Sequence, residues 1–197
     1  MENYIFKAIL FLFIISCGLV RFPFMKKYKQ NINARSLHTT FEKIKVLLAW
    51  LGMCFVPFIY IFTGLLNRYD FSVPFIIRIL FSAGLALDVY FFYIIHKELG
   101  ANWSPILEIK TKQNLIKTGV YKYIRHPMYT QSWLWVIFQG IVSANWFVLI
   151  FGVLTWGFMY FTRVFSEENM MIEVFNEEYV EYMQHTGRLL PKLSWRR

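Results

Sequence analysis

Apolar residues run in long blocks along this chain, and the stretches between the blocks hold most of its lysines and arginines. A helix needs about 20 mostly apolar residues to cross a hydrocarbon core of roughly 30 Å. Four blocks approach or exceed that length. Residues 5–20 form a short one whose Lys7 can snorkel to the interface. Residues 46–66 carry Pro57, and residues 73–95 enclose Arg78 and Asp88. The fourth, residues 133–161, would measure roughly 43 Å as one straight helix, too long for a single crossing. Gly140 and the sequence Ser143-Ala144-Asn145 offer a turn near its middle, so the pattern predicts a hairpin of two short arms buried against other helices.

The basic residues agree with that division. Seven lie within 21–45, six within 97–125 and five within 163–197, which together make 18 of the 21 lysines and arginines. Basic residues collect on the cytoplasmic side of a membrane. A hairpin puts all three segments on that side and leaves the loop 67–72, with only Arg68, on the other. The expectation is an all-α, polytopic bundle of about five transmembrane helices, with the amino terminus outside and the carboxyl terminus in the cytoplasm. Residues 1–197 read as one integral-membrane domain. Three helices occupy 1–95; a connecting loop, the hairpin and a carboxyl-terminal helix occupy 96–197.

Composition supports the bilayer and narrows the chemistry. The chain of 197 residues is 57% hydrophobic, 20% aromatic and 17% charged, too little polar sequence to cover a soluble globule. The net charge of +9 accompanies no nucleic-acid motif, so it reads as topological and no nucleic-acid partner is expected. Cys17 and Cys54 both sit in apolar blocks, which gives no disulfide framework. The stretch Ile14-Ile15-Ser16-Cys17 resembles a lipoprotein cleavage site, but the weakly charged region before it fits a retained first helix better. No glycine-rich dinucleotide fingerprint, phosphate-binding loop or paired-cysteine site is present, and His38, His96, His126 and His185 are scattered. No metal is predicted.

Two polar segments remain as candidates for chemistry. The first, residues 96–130, is long for a connector and ends in Gly119-Val120-Tyr121-Lys122-Tyr123-Ile124-Arg125-His126-Pro127-Met128-Tyr129. Arginine, histidine and tyrosine around a proline suit either interface anchoring or a binding site. The second, residues 163–182, reads as a helix. At about 100° per residue Met171, Ile172, Phe175, Tyr179 and Tyr182 share an apolar stripe with Glu168 at its centre, while Glu173, Glu177 and Glu181 face away. A carboxylate on a buried stripe needs a partner, which is Arg163, Arg125 or a cationic ligand. Arg78 and Asp88 are too far apart in sequence to pair along a helix, and Asp88 reads as a buried structural residue.

Taken together, Gly119-x-Tyr121-x-x-x-Arg125-His126-Pro127-x-Tyr129 and Glu167-Glu168-x-x-Met171-x-x-x-Phe175-x-x-Glu178-Tyr179-x-x-Tyr182, ending near Leu190-Pro191, resemble the isoprenylcysteine carboxyl methyltransferase family. The resemblance covers about residues 99–191. It implies a membrane enzyme whose cytoplasmic carboxyl half wraps S-adenosyl-L-methionine while an apolar, lipid-like acceptor, a carboxylate or a lipid amine, enters from the bilayer. Carried over by position, it implies cofactor contacts at Gln113, Asn114, Leu115, Ile116, Tyr121, His126, Pro127, Met128, Tyr129 and Glu167, with Arg163 toward the acceptor as the catalytic position. It favours Glu167 over Glu168 as the cofactor contact, with Glu168 a neighbour that closes the site. Asn176 stands where the family usually has glycine, and Met171 where it has leucine; both replacements are compatible with the fold. A membrane reductase using NADPH and a non-catalytic scaffold are the competing readings.

Overall fold

The computed structural model of the protein describes residues 2–30, 34–36, 40–104, 108–110 and 114–192. The first apolar block lies in helix α1, Glu2–Gln30, which runs well past residue 20 and continues through Pro23. The second block is a composite rod. Helix α2, Thr40–Trp50, passes through a π-helical turn, Leu51–Phe55, into α3, Val56–Phe62. The Val56 N–H bonds the Leu51 carbonyl five residues back, one residue before Pro57, whose ring removes an N–H from the helical ladder. The span therefore covers 40–62, shifted toward the amino terminus from the expected 46–66.

Helix α4, Phe75–Leu99, carries the third block. Its two buried polar groups, Arg78 and Asp88, have separate partners, as their spacing required. Arg78 donates from Nε and Nη2 to the Val142 carbonyl at 3.0 and 2.8 Å and from Nη1 to Asn3 at 2.9 Å, whereas Asp88 accepts from Gln131 at 2.6 Å.

The fourth block is a hairpin of α5, Pro127–Ser143, and α6, Trp146–Phe175. Ala144 turns the chain with φ 52 and ψ 42, and the Asn145 side chain caps α6 by accepting from the N–H groups of Phe147 and Val148, both at 3.1 Å. The same amide donates to the Leu66 carbonyl and to Asp70 at 2.8 and 2.7 Å, clasping the hairpin tip to the 66–70 loop. Gly140 is not in the turn. A Cβ there would lie 2.5 Å from Leu149 Cδ1, so this glycine lets α5 and α6 approach closely.

The second arm is not short. Helix α6 has 30 residues and carries the helical pattern straight from the apolar block into the polar segment. It stops at Asn176, where φ 48 and ψ −128 break the axis before α7, Glu177–His185. The stripe read as one helix is thus shared by two, with Tyr179 and Tyr182 buried on α7.

Helix α4 packs against α1 and α5, α5 against α6, and α2 against α6. Among the described residues, four segments, 3–28, 40–62, 75–99 and 146–175, are long and apolar enough to cross a membrane, while α5 has 17 residues. Leu12, Leu19, Leu80, Leu87, Leu154 and Phe161 are exposed on the outside of the bundle, a surface suited to lipid and not to water. The otherwise helical fold has one small antiparallel ladder, β1 (Ala34–Ser36) with β2 (Glu108–Lys110). Three-residue strands leave no readable alternation in a sequence, so the all-α expectation did not include them.

Candidate functional site

Three stretches of chain converge at one end of the bundle. At the first, the Glu98 carboxylate accepts the Val120 N–H at 2.9 and 3.2 Å and seats the tight turn Gly119–Lys122. Gly119 has φ 58, and a Cβ on it would lie 1.9 Å from Glu98 Oε1, so only glycine fits this contact. The turn buries Tyr121, whose carbonyl accepts the Tyr182 hydroxyl at 2.5 Å. Burial raises the Tyr121 phenol well above its ordinary range and pushes Tyr182 up to about 12, so both stay protonated at neutral pH.

The second stretch is the end of the chain. Arg125 N–H donates to Gly187 at 2.9 Å, Gly187 N–H to Tyr123 at 3.1 Å and His126 N–H to Arg188 at 3.1 Å. The Thr130 hydroxyl donates to the Leu189 carbonyl at 2.6 Å. These bonds latch residues 187–189 onto the residues leading into α5. Pro127 then starts α5 at a position that has no use for an N–H, with His126 immediately before it.

The third stretch is the polar part of α6. Glu168 is buried and held on every side: Arg125 Nε at 2.7 Å, Arg188 Nη2 at 2.5 Å and Nε at 3.0 Å, and His126 Nε2 at 3.1 Å. The expected salt bridge with Arg125 is present. Arg163 instead lies 3.8 Å from Glu167, one turn along. The Tyr129 hydroxyl donates to Glu167 in a short hydrogen bond, and His126 Nδ1 stands 3.8 Å from the same carboxylate. The His126 and Tyr129 rings stack with centres 5.3 Å apart. His126 therefore stands between the two neighbouring glutamates, which do different work: Glu168 is enclosed by cations, whereas the Glu167 side chain keeps 29% of its surface accessible.

That accessible carboxylate borders a cavity of about 300 Å³, at the lower end of the roughly 300–1,000 Å³ usual for small-molecule sites. Asn114, Leu115, Ile116, Tyr121, His126, Pro127, Met128, Tyr129, Arg163 and Glu167, all named from the sequence, border it too; Glu168 does not. Gln113 lies outside the described residues. The opposing apolar lining comes from α2, the π-helical turn and the middle of α6, through Val46, Ala49, Met53, Trp156 and Met159. Trp156 Nε1 is buried there with no hydrogen-bond acceptor among the described residues, a donor left for a ligand.

Three contributors escaped the sequence reading. Arg188 had no helical spacing to Glu168, because the latch that delivers it is made of backbone hydrogen bonds. Trp156 lies in an apolar block read only as a span, and Arg21 was read only as topological charge at the start of the basic segment 21–45. Nothing in the spacing tied Arg21 to the other polar segments.

The Isoprenylcysteine carboxyl methyltransferase (ICMT) family profile matches residues 80–173. Protein-S-isoprenylcysteine O-methyltransferase of Saccharomyces cerevisiae is 36% identical over 95 residues, covering 47% of this chain and 39% of that protein. The human protein of the same description is 30% identical over 94 residues, covering 47% and 33%. In each case the match spans less than half of the relative's length. Among solved structures, a eukaryotic intramembrane Ras methyltransferase, isoprenylcysteine carboxyl methyltransferase, superposes with a TM-score of 0.53 at 22% identity, covering 78% of this chain and 53% of that one, a likeness of fold. With four spans of membrane length and the shared fold, the protein is an integral membrane protein, and its residues 80–173 are similar to the isoprenylcysteine carboxyl methyltransferase family.

Proposed function

We propose that the protein transfers a methyl group from S-adenosyl-L-methionine to the carboxylate of an apolar, isoprenylcysteine-type acceptor. The observation that carries this reading is the convergence of Asn114–Ile116, Tyr121, His126–Tyr129 and Glu167 on one cavity. The donor set fits the cofactor. The accessible Glu167 carboxylate suits a cationic or amine part, the stacked His126 and Tyr129 hold that carboxylate in place, and aromatic walls suit a sulfonium cation. Bound there, the cofactor supplies a methyl group whose carbon–sulfur bond breaks as an acceptor oxygen–carbon bond forms, leaving a methyl ester and S-adenosylhomocysteine with no proton to remove.

The chain's own part is positioning and exclusion of water. Arg163, buried on α6 beside Glu167, orients the acceptor carboxylate toward the cofactor side of the cavity. Val46, Ala49, Met53 and Met159 receive the apolar body of the acceptor. The whole chain acts as one unit in this scheme, with the amino terminus outside and the site facing the cytoplasm.

Calorimetric titration of the detergent-solubilised protein with S-adenosylhomocysteine, and separately with NADPH, tests the reading. Binding of S-adenosylhomocysteine alone, weakened about tenfold or more by Glu167→Ala through loss of a charge-assisted contact, is expected. Binding of NADPH alone would point to a reductase and sink the proposal.

A further inference from the structure

Arg21 stands on α1, outside the residues matched by the family, and borders two spaces at once. One is the cavity described above. The other is an open, largely apolar groove of about 520 Å³ along α1, lined by Gly18, Phe22, Met25 and Lys26. A Cβ at Gly18 would meet nothing within 4 Å, so the groove floor is unobstructed.

The guanidinium of Arg21 is held by rings. Its central carbon lies 5.1 Å from the centre of Phe92 and 5.7 Å from that of Trp103, and no carboxylate pairs with it among the described residues. The other arginines around the cavity differ. Arg163 faces Glu167, and Arg125 shares Glu168 with Arg188. Among the described residues, Arg21 thus places a positive charge with no carboxylate partner where the groove meets the cavity. A guanidinium held against aromatic faces keeps its N–H edge available for a planar anion, a geometry that matches a carboxylate with two donors.

We propose that Arg21 selects the acceptor, capturing the carboxylate end of an amphiphile that reaches the cavity along the groove on α1. The identity of the acceptor rests on the methyl-transfer reading; the anion site itself does not. Arg21 acts in capture and Arg163 in orientation, so the two separate kinetically. Loss of Arg21 raises the acceptor KM, and loss of Arg163 lowers kcat.

The test uses the full chain in zwitterionic lipid nanodiscs, with N-acetyl-S-farnesylcysteine and its carboxamide as probes and tryptophan fluorescence as the readout. Wild-type protein is expected to bind the acid about tenfold more tightly than the amide. Arg21→Gln and Arg21→Met should reduce that preference to about twofold or less, and Arg21→Lys should retain most of it. In methyl-transfer assays Arg21→Gln should raise the KM for the acid about tenfold with kcat within about twofold. Unchanged S-adenosylhomocysteine affinity in either charge-free variant shows that it is folded.

A preference for the acid that survives both charge-free variants overturns the assignment. So does equal weakening of acid and amide, which would make Arg21 an anchor to lipid headgroups. A wild-type protein that prefers the acid through Arg21 but transfers no methyl group upholds the anion site and overturns the reaction instead.

Discussion

Glu167 and Glu168 are adjacent, yet their environments separate them into a carboxylate open to the cavity and a strut. Glu168 neutralises two arginines that join α6 to the start of α5 and to the end of the chain, so removing its charge takes the carboxylate partner from the largely buried Arg125 and the partly exposed Arg188. Glu168→Gln is expected to destabilise the protein by about 3 kcal/mol, read as a fall in the thermal unfolding midpoint in detergent. Glu167→Gln should leave that midpoint within about 2 °C of wild type while S-adenosylhomocysteine affinity drops. Equal loss of stability in both variants would contradict the division. Helical periodicity placed Glu168 on the buried stripe, and the geometry agrees. Periodicity did not identify Arg188 as its second cation, because that pairing depends on where the chain returns in space.

Helix α6 shows how one element serves two environments. Its first half is apolar and packs on α5 and α2, and its second half carries Arg163 and Glu167 to the cavity without a break in the axis. Continuity fixes the rotational relation between the membrane part and the polar part, so Met159, Arg163 and Glu167, spaced at four residues, line one side. The axis breaks only at Asn176, whose φ of 48 with ψ −128 is costly for any residue with a Cβ. Asn176→Gly is therefore expected to stabilise the protein by about 1 kcal/mol with activity unchanged, checked by thermal unfolding and by the assay above. A destabilised variant would show that the asparagine side chain contributes more than its backbone costs. The sequence offered Asn176 as a departure from a glycine pattern; the break itself required coordinates.

For the whole molecule, the basic segments around residues 21–45, 97–125 and 163–192 should share one membrane side. Single cysteines introduced at Tyr69 and Lys192, in a background lacking Cys17 and Cys54, are expected to react with an impermeant maleimide from opposite sides of sealed vesicles. Labelling of both from the same side would sink the arrangement of three amino-terminal helices followed by a hairpin. Clasping of the hairpin tip by Asn145 onto the 66–70 loop is the tertiary counterpart of that topology, since it holds both loops at one end of the bundle.

By itself the sequence determined that the chain crosses a membrane, where the hairpin turns, and which two polar segments line the cavity. Those features rest on local chemistry, namely block length, turn residues and helical spacing. Tertiary structure decided what those residues face. It enclosed Glu168, left Glu167 open to the cavity, brought Arg188 back to α5 through backbone bonds, and set Arg21 at the junction of groove and cavity. Such placements arise from contacts between residues tens of positions apart, and spacing along one chain holds no record of them.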